Sequence, residues 1–272
     1  MSIVSSLITN KSKLFVKSII INMDLFWNET LGNNEFNLFS KAHLLILGFI
    51  FSMIFLMFVY KEILKRPNIR IKFGRIIAFI LLLQSFFQHF WYIERKVFTL
   101  KESLPLYLCR ITVLLCIFML LKESYSLFEI VYFWGLGGAT QALITPDTGG
   151  FIFPHWMYIQ FFIGHGGILI SIFFMILSYG YRPTIKSLKK TFHWSYIYLI
   201  VVGMFNYLVD GNYSYLRGKP LTSSVLDFFP KYPYYIPILI AGMFFIFILL
   251  YIPFYIYDNK RKKLHNIINT SN

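Results

Sequence analysis

Between Lys231 and Asp258 the chain runs through 26 residues without one charged side chain. A helix needs about 20 mostly apolar residues to cross roughly 30 Å of hydrocarbon, so a run of this length can span a bilayer. Six further windows qualify, giving residues 43–60, 76–93, 104–121, 124–145, 156–179, 193–209 and 233–257. Only helices and closed barrels satisfy the backbone inside lipid. Continuous runs such as Ile76 to Phe87 lack the alternation of a barrel strand. The expected fold is therefore all-α, a polytopic bundle of seven transmembrane helices. Composition agrees: 57% of residues are hydrophobic and 14% charged, against about 25% charged in soluble chains. The surplus must face lipid. The two-residue link Lys122–Glu123 predicts that the third and fourth helices are antiparallel neighbours.

The net charge of +14 follows from 26 Lys and Arg against 12 Asp and Glu. Here the cations lie between apolar spans, which points to membrane insertion and anionic headgroups rather than nucleic acid. Of these cations, 15 fall on one side of the seven spans and ten on the other. The richer side carries Lys61 to Arg75, Arg182 to Lys190 and the basic tail, residues 258–272. The positive-inside bias then predicts an extracytoplasmic N-terminal segment, residues 1–42, and a cytoplasmic tail, in a plasma-membrane protein. Met23 offers a second start, so residues 1–22 are expected to be dispensable. Cys109 and Cys116 lie within apolar stretches and form no paired-cysteine motif.

Polar groups inside a span are costly, and each is a functional candidate. With this orientation they gather in the outer half. His89 lies near the outer end of the second helix, above Gln84 and Gln88. Cys109 and Arg110 fall within the first two turns of the third helix, Gln141 lies at the end of the fourth, and Asn206 and Asp210 lie near the exit of the sixth. His165 sits nine residues into the fifth, about 14 Å deep at 1.5 Å per residue. The inner half looks nearly bare by comparison. The loop after the sixth helix adds Asn212, Tyr213, Arg217 and Lys219, groups suited to phosphate headgroups.

Cys109 and His165 can form a nucleophile and base, because a thiolate needs a neighbouring base or positive charge to form at neutral pH. Acyl transfer would follow, with Gln141, Asn206 or His89 polarising the carbonyl. Each residue also has a structural reading. A membrane cysteine packs as a small hydrophobe, a histidine can bond between helices, and Arg110 can snorkel outward. No P-loop, HExxH, GxSxG or dinucleotide fingerprint is present in the sequence. No metal site or soluble cofactor is expected.

Several ordered segments resemble a known family. Leu104-Pro105-Leu106-Tyr107-Leu108-Cys109 precedes Gln141-Ala142-Leu143-Ile144-Thr145-Pro146-Asp147. His165 follows, then Asn212 to Pro220, then Tyr232-Pro233-Tyr234-Tyr235. In that order, over about residues 36–257, they resemble the YwaF family of bacterial integral membrane proteins. That family is similar to an animal transmembrane-protein (TMEM) family described as phospholipid acyltransferases. The resemblance implies Cys109 as nucleophile and His165 as its partner, acting on membrane lipids. Tyr107 departs from the many relatives that carry His there. The acyl donor, acceptor and oligomeric state stay open. So do two other functional classes: a small-molecule transporter or permease component, and a non-enzymatic ligand-binding membrane subunit.

Overall fold

The structure is a computed structural model that describes residues 25–28, 36–220 and 225–270. The expectation for residues 1–22 lies outside these. Among the described residues the chain is helical: α1 Lys41–Val59, α2 Lys61–Leu64, α3 Pro67–Glu94, α4 Leu108–Lys122, α5 Tyr125–Ile144, α6 Trp156–Tyr179, α7 Ile185–Val209 and α8 Tyr235–Thr270, with short 3-10 turns at Tyr213–Tyr215 and Val225–Phe228. Six of these helices are long and apolar enough to cross a membrane. The seventh expected span becomes α4, only 15 residues long, or about 22 Å at 1.5 Å per residue. The difference arises at Leu104–Tyr107, expected to be helical. Pro105 lacks an amide N–H, and Tyr107 takes extended angles as the N-cap of α4.

Three helices outrun their apolar windows. Pro67 starts α3 at N1, the position where proline's fixed φ suits a helix. Reciprocal Thr184 and Ser187 bonds form a capping box at the start of α7. α8 continues through Thr270, so the expected tail from residue 258 prolongs the last helix. These extensions are polar turns leaving the apolar zone, which a search for apolar runs does not register.

α6 sits at the centre, packed against α1, α3, α4 and α5, while α8 packs against α5 and α7. Over half of the apolar window of α6, 56%, is buried, against 17% in α1 and α8. Glycines permit the close approach. A Cβ on Gly167 would stand 2.5 Å from Leu81 of α3, and one on Gly166 would stand 2.7 Å from Ile50 of α1. Lipid offers no hydrophobic drive between helices, so such small residues decide where backbones can meet. α1, α3, α7 and α8 expose broad apolar faces, including Phe55, Phe86 and Leu208.

Candidate functional site

The start of α4 is held from outside its own sequence. Its N-cap, Tyr107, provides no side-chain bond. Instead the Ser214 hydroxyl accepts from Leu108 N at 3.2 Å. Tyr198 Oη donates to Leu106 O at 2.9 Å and also meets the Ser214 hydroxyl. Tyr213 Oη accepts from Leu104 N at 3.0 Å and donates to Leu100 O at 2.8 Å. Asn206, fully buried, fixes Tyr213 in turn: Tyr213 N donates to its Oδ1 at 2.7 Å, and its Nδ2 donates to Tyr213 O at 2.9 Å. The loop after α7 thus clamps the segment that leads into Cys109.

Arg110 belongs to the same clamp. Its guanidinium donates to Glu102 O at 2.9 Å, Leu104 O at 3.2 Å and Tyr92 Oη at 2.8 Å. It also lies 4.9 Å from the Tyr107 ring centroid. Its hydrogen-bond partners are all neutral oxygens, so the guanidinium keeps its positive charge one residue from the thiol. Cys109, in the first turn of α4, is half-buried, and its Sγ lies 3.4 Å from where a Cβ on Gly138 of α5 would stand. The backbone N–H groups of Cys109 and Arg110 have no acceptor among the described residues.

The histidines differ in which ring nitrogen is committed. His165 Nδ1 lies 2.8 Å from Phe161 O, and His89 Nδ1 lies 2.8 Å from Ser85 O. A carbonyl only accepts, so each Nδ1 carries hydrogen and each neutral ring keeps its lone pair on Nε2. The His165 ring also lies against Phe161, with centroids 4.1 Å apart. No hydrogen bond joins Cys109 to His165 among the described residues. His43 and His155 have the opposite arrangement. Phe39 N donates to His43 Nδ1 and Met157 N donates to His155 Nδ1. Their Nε2 atoms reach Leu143 O at 2.8 Å and Asn28 O at 2.7 Å.

Of the residues expected to polarise a substrate, Gln141 is exposed on the last turn of α5, and the carboxamide of Asn206 is engaged by Tyr213. His89, with its lone pair on Nε2, can accept a hydrogen bond but not donate one there. The headgroup set is also mostly engaged within the protein. Asn212 bridges Gly218 O and Arg217 N, both at 2.9 Å. Lys219 Nζ donates to Phe229 O at 2.7 Å. Tyr213 is fully buried, which removes it from any headgroup contact. Asp210 pairs with Lys101 at 2.8 Å and Arg217 at 3.0 Å. The bond from Lys101, then that from Arg217, holds its carboxyl below the usual range.

The other half of the bundle is not bare, which corrects the reading from sequence. Trp134 Nε1 donates to the buried Ser195 hydroxyl at 2.8 Å. Glu129 receives Ser187 at 2.7 Å and Lys190 at 2.8 Å. Ser171, Ser178 and Thr191 each donate to a carbonyl four residues back. These groups are polar but mutually satisfied. A further buried link, Gln84 Nε2 to Gln160 Oε1 at 2.7 Å, joins α3 to α6. Ser214, Tyr198 and Gln160 carry this framework and were not singled out from sequence. Their bonds cross up to 106 residues, and spacing holds no signal of them. Among the described residues no three of His, Cys, Asp and Glu are grouped to hold a metal ion.

A family model described as the TMEM164 family matches residues 38–251. No curated protein and no solved structure matches the chain.

Proposed function

The chain belongs to the TMEM164 family, and from that premise we propose that this multi-pass membrane protein transfers acyl groups between membrane lipids, with Cys109 as nucleophile and His165 as base. The observation that carries the reading is the tautomer of His165. Its Nδ1–H is spent on Phe161 O, so the basic lone pair lies on Nε2, as a general base requires.

In the proposed reaction, His165 Nε2 takes the Cys109 thiol proton as Sγ attacks an ester carbonyl. The tetrahedral oxyanion accepts from the backbone N–H groups of Cys109 and Arg110, which lack other partners in the first turn of α4. Collapse breaks the ester C–O bond and leaves a thioester on Cys109. The proton passes from His165 Nε2 to the departing alkoxide, releasing a lyso-lipid. An acceptor hydroxyl then gives its proton to Nε2 and attacks the thioester. The new ester leaves, and the thiolate recovers the proton. The clamp of Ser214, Tyr198, Tyr213 and Arg110 keeps the first turn of α4 in place. The charge bias supports an outward-facing Cys109 end, with the reaction in the outer leaflet of a plasma membrane.

The test is to incubate purified protein in lipid nanodiscs with phosphatidylcholine carrying an alkynyl acyl chain, then score hydroxylamine-labile label on the protein. Label is expected in the wild type and in Cys116→Ser, and none in Cys109→Ser. In His165→Ala it should form about a hundredfold more slowly, the low end of what a general base contributes. Equal labelling of Cys109→Ser and wild type would sink the mechanism.

A further inference from the structure

Lys72 and Arg75 are exposed, one turn apart, on the part of α3 farthest from Cys109. Among the described residues neither forms an ion pair. Three other cations at this end do: Lys65 with Glu62 at 2.7 Å, Lys190 with Glu129 at 2.8 Å, and Arg182 with Asp258. Together with Asn68, Ile71, Ile76 and Phe79, Lys72 and Arg75 line an open groove of about 440 Å³. At 3.6 residues per turn these six positions fall on one face of the helix. The opposite face, with Gly74, Ile77, Ala78 and Leu81, is buried in the bundle.

The face changes character along its length. Its first turns carry an amide and two cations. The next carry Ile76 and Phe79, which are 47% and 58% exposed. Ile76 also opens the apolar run of this span, so the boundary between headgroup and hydrocarbon falls at about Arg75. A phosphate at that level would meet a guanidinium fork and an ammonium, and an acyl chain from the same molecule would lie along the apolar turns.

We propose that this groove holds one anionic phospholipid, its phosphate between Lys72 and Arg75 and one acyl chain along Ile76 and Phe79. Free phosphate would leave the apolar floor unused. A zwitterionic lipid would set its own ammonium against two unpaired cations. The site is independent of the acyl-transfer reading, because it shares no residue with the Cys109 end.

Native mass spectrometry of the purified protein in detergent tests this, using phosphatidylglycerol and phosphatidylcholine with identical acyl chains. One equivalent of phosphatidylglycerol should be retained in preference to phosphatidylcholine. Each basic residue near a membrane surface contributes about one factor of five to anionic-lipid affinity, so Lys72→Gln/Arg75→Gln should weaken retention roughly thirtyfold. Lys186→Gln/Lys189→Gln, which removes two exposed charges from the same end, should leave it unchanged. Three results would overturn the proposal: equal retention of the two lipids, equal loss in both double variants, or displacement of the lipid by millimolar inorganic phosphate.

Discussion

His155 caps α6 through Nδ1, which accepts from Met157 N at 3.0 Å, and its Nε2 reaches Asn28 O at 2.7 Å. Only the neutral ring with hydrogen on Nε2 can do both. Burial is the largest influence on this group and holds its pKa below the ordinary 6.5, with Arg95 acting in the same direction and the Asn28 bond opposing. The unfolded chain therefore takes up its proton first as pH falls. Above about 6.5 both states are neutral, so the full contribution to stability is present. It is lost as pH drops from 6.5 through the lower folded value. The melting temperature in detergent should accordingly fall between pH 7 and pH 5. His155→Asn retains an oxygen that can cap the helix but cannot titrate, and it should flatten part of that slope. An unchanged slope would clear His155 as its source. Cys109 and His165 were legible in the sequence because they are rare polar groups within apolar spans. The inward commitments of Asn206, Tyr213 and Arg110 were not. A buried carboxamide and a solvent-facing one have the same letter, and only the fold decides which partner each meets.

Helix packing rests on contacts that a methyl group can probe. A Cβ at Gly167 would come within 2.5 Å of Leu81 Cδ2, and Leu81 is fully buried, so the side chain would have to shift within the packed interior. Nothing lies within 4 Å of the corresponding position at Gly203 on α7. Both glycines lie in helix interiors, where alanine is intrinsically favoured by about 1 kcal/mol. Overpacking reverses that gain at one site only, because forcing atoms into a filled interior costs typically 1–3 kcal/mol. Gly203→Ala should thus raise the melting temperature in detergent, and Gly167→Ala should lower it. A rise in both would mean that α3 and α6 are less tightly apposed than the geometry requires. The same elements show what an apolar run can reveal. It located the spans, since lipid demands length and hydrophobicity. It missed the polar turns that extend α3, α7 and α8 and the non-helical Leu104–Tyr107 that shortens α4. The start of α7 depends on a capping box and that of α3 on Pro67 at N1, while for α4 the partners lie on Ser214 and Tyr198.

Across the whole molecule, the ends of the bundle differ in kind. One end is built from loops, residues 95–107, 145–155, 210–220 and 225–234, stitched together by hydrogen bonds between distant residues. The other is formed by short links and cationic helix extensions, where Lys72 and Arg75 lie unpaired beside paired Lys65, Lys190 and Arg182. Basic residues resist translocation when they lie close to the ends of a span. The cation-rich end should therefore remain in the cytoplasm and the Cys109 end face out. In a background of Cys109→Ser and Cys116→Ala, a single cysteine at Arg217 should react with a membrane-impermeant maleimide in intact cells. One at Lys186 should react only after permeabilisation. Both sites are exposed, so a difference in rate reports sidedness rather than burial. The reverse pattern would place Cys109 toward the cytoplasmic leaflet. It would also move the Lys72 and Arg75 groove away from the anionic cytoplasmic face. The same labelling pair thus constrains both where acyl transfer would occur and which leaflet supplies the lipid at α3.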